Sequence, residues 1–170
     1  GGGGADPGRG APVGGGAVAE MPGVVVAPAP QGSVGLGHAD VAGAGGGGLG
    51  TTVTRMAARA GATVIGVSRD PANLEQHLGP LIKEGLSIIP VAADVETDAG
   101  VAAVMDRVRD TRGDLHGLVT VVGGGPPSTW GPATRVSRGN WDALFSKNLD
   151  SMFFISQAVA ARLQELGRPG

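Results

Sequence analysis

The 170-residue sequence predicts an α/β fold with a doubly wound parallel sheet. Short, continuous apolar runs alternate with longer segments whose apolar residues recur at helical spacing, and a glycine-rich turn separates the first run from the first helix. Continuous apolar runs are typical of parallel strands that are buried on both faces. Four strand-then-helix units in a row favour right-handed crossovers.

The first third of the chain has a different composition from the rest. The sequence has 33 Gly and 12 Pro, and 19 of the Gly lie in residues 1–50. Gly and Pro at this density supply too little apolar burial to offset the entropy of ordering the backbone. We therefore expect residues 1–35 to be a flexible leader, in which residues 24–26 could add a loose strand, and residues 36–170 to form the domain.

Charge and residue types exclude several function classes. A net charge of −2 gives no electrostatic basis for binding nucleic acid or an anionic membrane. No stretch reaches the ~20 apolar residues of a membrane span. The sequence has no Cys, and its three His are far apart, so we expect no metal site. The leader lacks the pattern of a signal peptide, and we expect a cytoplasmic protein.

The elements follow from local signals. The predicted strands are residues 38–44, 63–68, 86–93 and 117–122, and the predicted helices are residues 50–60, 71–84, 98–112 and 138–166. Asp70 and Pro71 are typical of a helix start, whereas Gly79 and Pro80 predict a break or kink in that helix. Pro90 favours an edge position or a bulge for the third strand, and an edge agrees with strand order 3-2-1-4.

The last predicted helix carries an apolar face that includes one amide. The apolar residues expected on that face are Trp141, Leu144, Phe145, Met152, Ile155, Val159 and Leu163. Asn148 has the same spacing, and a buried amide needs hydrogen-bond partners. A lone Asn in such a place is more often structural than catalytic.

The glycine-rich turn is the first candidate binding site. Its candidate residues are Gly43, Gly47, Gly48, Leu49 and Gly50. Glycines here would bring backbone N–H groups close to a pyrophosphate at the helix N-terminus. The alternative is a linker, but a helical apolar pattern follows at once and favours the phosphate turn.

The end of the second strand indicates which dinucleotide is bound. An acidic residue ~20 positions after the glycines would accept hydrogen bonds from the ribose hydroxyls of NAD. Ser68 and Arg69 stand there instead. Ser68 does not repel a 2′-phosphate and Arg69 could pair with it, so we expect NADP(H) to be preferred over NAD(H). The alternative is that Arg69 is merely solvated beside Asp70.

Two motifs resemble the short-chain dehydrogenase/reductase family. Gly48-Leu49-Gly50 ends the turn, and Gly61-Ala62-Thr63-Val64 follows at the family's spacing. The pattern Trp141-Asp142-x-x-Phe145-x-x-Asn148-Leu149-x-x-x-Phe153 resembles the family's fourth-helix signature. The front of the turn departs from the pattern: Gly43 is one residue too far upstream, and Ala44 occupies the position of the first Gly. The resemblance covers residues 40–166.

The resemblance implies a Rossmann-type sheet and several site roles. It places Asp94 against the adenine amino group, although the residue could also be a turn cap, and it places Val95 in the adenine pocket. Val122 and Gly123 are candidate cofactor-binding residues at the end of the fourth strand. Thr120-Val121-Val122 replace the family's Asn-Asn-Ala, but the open backbone at Gly123 and Gly124 could still pass beside the cofactor. The resemblance also implies that Asn148 holds a water in the proton relay.

The resemblance further implies hydride transfer between a nicotinamide cofactor and a ketone or secondary alcohol, in a protein that is a homo-oligomer. The family's catalytic Ser, Tyr and Lys follow the fourth helix, and this sequence contains no Tyr. We therefore expect the cofactor-binding portion of a reductase, truncated after the fourth strand and its helix and inactive by itself. The alternatives are a non-catalytic dinucleotide-binding module and a non-functional fragment.

Overall fold

Regular elements form close to their predicted bounds from residue 49 onward. The computed structural model describes residues 24–27, 49–111, 115–125 and 131–168. Its strands are β1 (Val24–Ala27), β2 (Val64–Ser68), β3 (Ile88–Ala92) and β4 (Gly117–Thr120). Its α-helices are α1 (Leu49–Arg59), α2 (Pro71–Lys83), α3 (Asp98–Asp110), α4 (Arg138–Phe145) and α5 (Ser151–Glu165).

The described strands form one mixed sheet in the order β3-β2-β1-β4. β2 and β3 are parallel, with Gly66 opposite Pro90. β1 is antiparallel to both β2 and β4, so the prediction of an all-parallel sheet is wrong for this strand. The strand predicted at residues 38–44 lies outside the described residues, and the predicted order counted that strand as the first.

The position of β1 follows from backbone hydrogen bonding. β1 lies between β2 and β4, and a Val-rich segment suits this place because β-branched residues favour extended backbone. An apolar run does not encode strand direction, and an antiparallel strand satisfies its neighbours' N–H and C=O groups as well as a parallel one does. Residues 24–27 therefore form a strand inside the segment that the sequence predicts as a flexible leader.

The core is centred on β2, all five of whose residues are buried. α2 packs on β2 and β3, while α5 packs on β4 and α3. Gly66 permits the close approach of α2, because a Cβ at this position would overlap the side chain of Leu78. The fully buried side chains include Ile65, Leu78, Leu81, Val104, Leu115 and Ile155.

The two internal prolines behave differently. Pro90 lies on β3, which is at the edge of the sheet formed by the described strands, the position expected for this proline. Pro80 does not break α2, which continues to Lys83, so the predicted break is wrong. Leu78 and Leu81 are almost completely buried on either side of Pro80, and this packing outweighs the hydrogen bond that proline removes.

The predicted helix over residues 138–166 is divided by a π-helical turn at residues 146–150. Ile155, Val159 and Leu163 are buried as predicted, whereas Trp141, Phe145 and Met152 are exposed, which corrects the predicted face. A π turn adds a residue to one turn and rotates the next segment of the helix by about 100°. An apolar stripe spaced for a continuous helix is therefore split between two sides.

No helix within the described ranges combines the length and the apolar character needed to cross a lipid bilayer.

Asp70 caps α2 as predicted, and its replacement tests how much the cap stabilises the domain. Its carboxylate accepts a hydrogen bond from the backbone N–H of Ala72 at 2.8 Å. We expect Asp70→Ala to lower the free energy of unfolding by about 1 kcal/mol, since an N–H of the first turn loses its partner. Asp70→Asn keeps an acceptor and should stay close to the unmodified chain in urea unfolding followed by circular dichroism. Equal losses for both variants would contradict the capping role.

Candidate functional site

The carboxyl ends of three strands lie at one edge of the sheet. β2 is parallel to β3, and β1 is antiparallel to both β2 and β4, so β2, β3 and β4 all run in the same direction. Ligands of open α/β sheets bind outside the carboxyl ends of the strands. The predicted site residues that follow these strands are therefore brought to one edge.

The N-terminus of α1 is directed toward the same edge. α1 is joined to the start of β2 by the short turn at residues 60–63, so its C-terminus lies at the amino ends of the strands. Leu49 is exposed and Gly50 is buried. The buried hydroxyls of Thr51 and Thr54 have no hydrogen-bond partner in the described part of the chain. Gly43, Gly47 and Gly48 lie outside the described residues.

Ser68 and Arg69 have different environments at the end of β2. Ser68 is 2% exposed, and its hydroxyl oxygen accepts a hydrogen bond from the backbone N–H of Asp70 at 3.2 Å. The side chain of Arg69 is 43% exposed. Ser68 thus supports the turn into α2, while Arg69 presents its charge at the surface.

The loop after β3 is a tight hydrogen-bonded turn. Asp94 accepts a hydrogen bond on Oδ1 from the backbone N–H of Glu96 at 3.1 Å. Thr97 donates its hydroxyl proton to the Asp94 carbonyl at 2.8 Å and accepts from the backbone N–H of Gly100 at 3.0 Å, which caps α3. Asp94 thus caps this turn through Oδ1, which agrees with one of the two interpretations of the sequence. Val95 is buried in the core beside it.

Gly100 fixes the position of this loop against α3. A Cβ on Gly100 would overlap the backbone carbonyl of Asp94. Backbone cannot move aside as a flexible side chain can, so only glycine allows this approach. No sequence pattern indicated Gly100, because the close contact is created by the turn between two adjacent elements.

Asn148 links the end of β4 to the π-helical turn. Its side-chain oxygen accepts a hydrogen bond from the backbone N–H of Gly124 at 2.9 Å, and its Nδ2 donates to the Gly124 carbonyl at 2.8 Å. The same Nδ2 donates to the Leu144 carbonyl at 2.8 Å. Both side-chain N–H groups are used, so the amide fixes the backbone around Gly124.

Glycine geometry is required beside this amide. Gly124 has a φ of +110°, a backbone conformation that L-amino acids with side chains rarely adopt. A Cβ on Gly123 would lie 3.3 Å from the Asn148 side-chain oxygen, closer than most real Cβ contacts. Val122 is half-buried and packs against the core. The predicted residues Val122, Gly123 and Asn148 are thus brought together.

The π turn contains a second hydrogen bond from a side chain to a backbone carbonyl, close to the one made by Asn148. Ser151 donates its hydroxyl proton to the Lys147 carbonyl at 2.6 Å, one turn after the bond from Asn148 to Leu144. Both bonds stabilise carbonyl groups at a place where the normal helical ladder is interrupted. Single π turns of this kind are frequent at functional sites.

Glu96 is a further candidate residue at this place that the sequence patterns did not indicate. Its carboxylate forms an ion pair with Arg69, with 3.5 Å between Glu96 Oε1 and Arg69 Nη1. The two residues are 27 positions apart, and only the parallel pairing of β2 and β3 brings them together. Across the described ranges, no three His, Asp or Glu side chains are grouped so as to hold a metal ion.

Comparison with known proteins identifies the family. The family model described as short chain dehydrogenase matches residues 38–169. The chain belongs to the short-chain dehydrogenase/reductase family. Members of this family are oxidoreductases that bind NAD(P) and a small substrate. The curated relatives that it matches include gluconate 5-dehydrogenase of Gluconobacter oxydans (strain 621H), which is 32% identical over 121 residues, 71% of this chain and 46% of that relative.

Solved structures agree with this assignment. A short-chain type dehydrogenase/reductase from Mycobacterium ulcerans has a TM-score of 0.65 and 28% identity, over 72% of this chain and 45% of that chain. A citronellol catabolism dehydrogenase from Pseudomonas aeruginosa PAO1 has a TM-score of 0.61 and 26% identity, over 68% and 46% respectively. The chain thus has a Rossmann-like fold, and it spans about half the length of the curated relatives it matches.

Proposed function

We propose that this chain is the cofactor-binding portion of an NAD(P)-dependent short-chain oxidoreductase, and that it prefers NADP(H) over NAD(H). When bound, the nicotinamide would supply the hydride that is exchanged with a ketone or secondary alcohol in the complete protein. These 170 residues contain no Tyr, so they carry no Tyr-x-x-x-Lys pair to handle the proton at the substrate oxygen. The activity proposed for them alone is nucleotide binding without turnover.

The residues at the carboxyl ends of the strands have side chains suited to a dinucleotide. The buried hydroxyl of Thr51, which has no hydrogen-bond partner among the described residues, lies in the first turn of an 11-residue helix. The N–H groups and the dipole of a helix N-terminus favour a phosphate. The second carboxylate oxygen of Asp94 is suited to accept from an adenine amino group, and the buried Val95 would line the ring. Together with Gly43, Gly47, Gly48, Leu49 and Gly50, these residues would hold the adenosine and diphosphate.

Arg69 is the observation that carries the preference for NADP(H). Its guanidinium is exposed directly after β2, where an acidic side chain would bind the ribose hydroxyls of NAD. A guanidinium recognises phosphate through planar, charge-assisted hydrogen bonds. Ser68 is buried, so its proposed contribution is to hold the turn that presents Arg69.

Removing the guanidinium tests this preference. We expect Arg69→Gln to weaken NADPH binding about tenfold and to change NADH binding less than about twofold, because only NADPH carries the 2′-phosphate. Titration of each nucleotide, followed by its fluorescence, measures both constants. Arg59→Gln is the matched control, since Arg59 also pairs with a Glu but lies at the C-terminus of α1, away from the carboxyl ends of the strands. Equal affinity of the unmodified chain for both nucleotides would contradict the preference.

The role of Asn148 in catalysis is also part of this proposal. The family resemblance implies that Asn148 holds a water molecule in the proton relay of the complete enzyme. Its two N–H groups are already donated to backbone carbonyls, so a water would have to be held by a lone pair of Oδ1 or by the backbone of the π turn. Its hydrogen bonds would also hold Gly123 and Gly124 beside the cofactor.

We further propose a cytoplasmic homo-oligomer for the complete protein. Six large apolar side chains are exposed along α4, the π turn and α5: Trp141 (50%), Phe145 (43%), Leu149 (51%), Met152 (37%), Phe153 (56%) and Phe154 (44%). The Trp141 and Phe145 ring centroids lie 4.5 Å apart, so these two side chains form one exposed apolar patch. Surfaces of this kind are typical of subunit interfaces.

A further inference from the structure

The described loops that follow β2 and β3 carry more acidic than basic side chains. Residues 69–70 and 93–97 include Arg69 together with Asp70, Asp94 and Glu96. Asp70 and Asp94 each accept a hydrogen bond from a backbone N–H of their own turn, at 2.8 and 3.1 Å. Glu96 instead reaches across the two loops and pairs with Arg69.

We propose that Glu96 is a specificity-determining residue that opposes binding of a 2′-phosphate, so that competition for one guanidinium sets how strongly the chain prefers NADP(H). This inference rests on the function proposed above. Glu96 Oε1 lies 3.5 Å from Arg69 Nη1, so a phosphate bound to that guanidinium would lie within a few ångströms of the carboxylate. Two anions at such a distance repel each other, even at a surface.

The local backbone keeps Glu96 in this place. Its N–H donates to Asp94 Oδ1, and the next residue, Thr97, is fixed by its bonds to the Asp94 carbonyl and to Gly100. The side chain of Glu96 is 26% exposed, less than the 43% of Arg69. The loop therefore holds the backbone from which the carboxylate reaches Arg69.

Glu96 does not repel the ribose of NAD(H). Its ribose 2′-hydroxyl is neutral and can donate a hydrogen bond to a carboxylate, whereas a phosphate carries a charge of about −2. Glu96 thus reduces the difference between the affinities for NADP(H) and NAD(H), and its removal increases that difference. A residue that merely stabilised the loop would affect both nucleotides equally.

Titration of NADPH and NADH into the chain and its Glu96→Gln variant tests the inference. We expect NADPH to bind about threefold to tenfold more tightly to the variant and NADH to change less than about twofold. The gain should shrink as salt is added, because exposed charges are screened. Glu96→Ala should also raise the affinity for NADPH relative to that for NADH. Glu84→Gln, which breaks the exposed pair with Arg59 at 3.3 Å, should leave both constants unchanged.

The outcomes separate this inference from the function on which it rests. One outcome is that Arg69→Gln weakens NADPH binding while Glu96→Gln leaves the ratio of NADPH affinity to NADH affinity unchanged or lowers it. In that case the role of Glu96 is wrong and the proposed function remains. Parallel changes for both nucleotides also overturn it, since they indicate a structural role. If the unmodified chain binds neither nucleotide, the proposed function fails and the inference falls with it.

Discussion

Replacing Gly100 by alanine is expected to lower the free energy of unfolding by about 2–3 kcal/mol. The new Cβ would overlap the carbonyl oxygen of Asp94, and this atom belongs to the backbone of the capped turn after β3. Alanine favours a helix over glycine by about 1 kcal/mol, so the steric cost has to exceed that gain for the chain to be destabilised. Urea unfolding followed by circular dichroism measures the change.

Gly139→Ala is the matched control. Gly139 lies in α4 and a Cβ there would meet no atom within 4 Å, so the same substitution should be neutral or stabilise the chain by up to about 1 kcal/mol. The displaced loop carries Asp94 and Val95, and we expect Gly100→Ala to weaken NADPH binding as well. A variant as stable as the control would show that the turn moves at no cost and would contradict the close approach.

Asn148→Ala is expected to have a comparable effect, about 2–4 kcal/mol. The substitution removes three hydrogen bonds and leaves the N–H and C=O of Gly124 and the C=O of Leu144 without this partner. Asn148→Asp should also destabilise the chain, since a carboxylate cannot donate to the two carbonyls that now receive Nδ2. Unfolding in urea, monitored by circular dichroism, tests both variants.

Gln157→Ala serves as the control for the loss of an amide. Gln157 is exposed on α5, so its replacement should change the free energy of unfolding by less than about 0.5 kcal/mol. If Asn148→Ala is no less stable than Gln157→Ala, the three bonds contribute nothing and the amide does not hold the end of β4.

Local features of the fold were predictable from the sequence, because they depend on neighbours along the chain. The capping of α2 by Asp70, the strand β2 and the buried Ile155, Val159 and Leu163 follow from residue type and spacing. Features that depend on how side chains pack in the folded domain were predicted less well. Pro80 stays inside α2 because its neighbours are buried, and the π turn reorients Trp141 and Phe145 although the residue spacing is helical.

The candidate site was predictable in its residue types and not in its contacts. Ser68 and Arg69 stand out by their position ~20 residues after the glycines, and Asp94 by the family resemblance. Asn148 stands out because an amide on an apolar helix face needs partners. The sequence does not state which partners they find. Arg69 meets Glu96 because β2 and β3 are parallel neighbours, and Asn148 meets Gly124 because its helix returns to the end of β4.

By itself, the sequence determined that this chain alternates strands with helices, has a glycine-rich segment before α1 and carries the motifs of the short-chain dehydrogenase/reductase family. These properties lie in short-range patterns, which need no knowledge of distant neighbours. Only the tertiary structure decided that β1 (Val24–Ala27) runs antiparallel between β2 and β4, that Glu96 shares the edge with Arg69, and that Gly100 allows the loop of Asp94 to close. Each of these depends on which strands and turns become neighbours in space, and that choice is made by the packing of the whole domain.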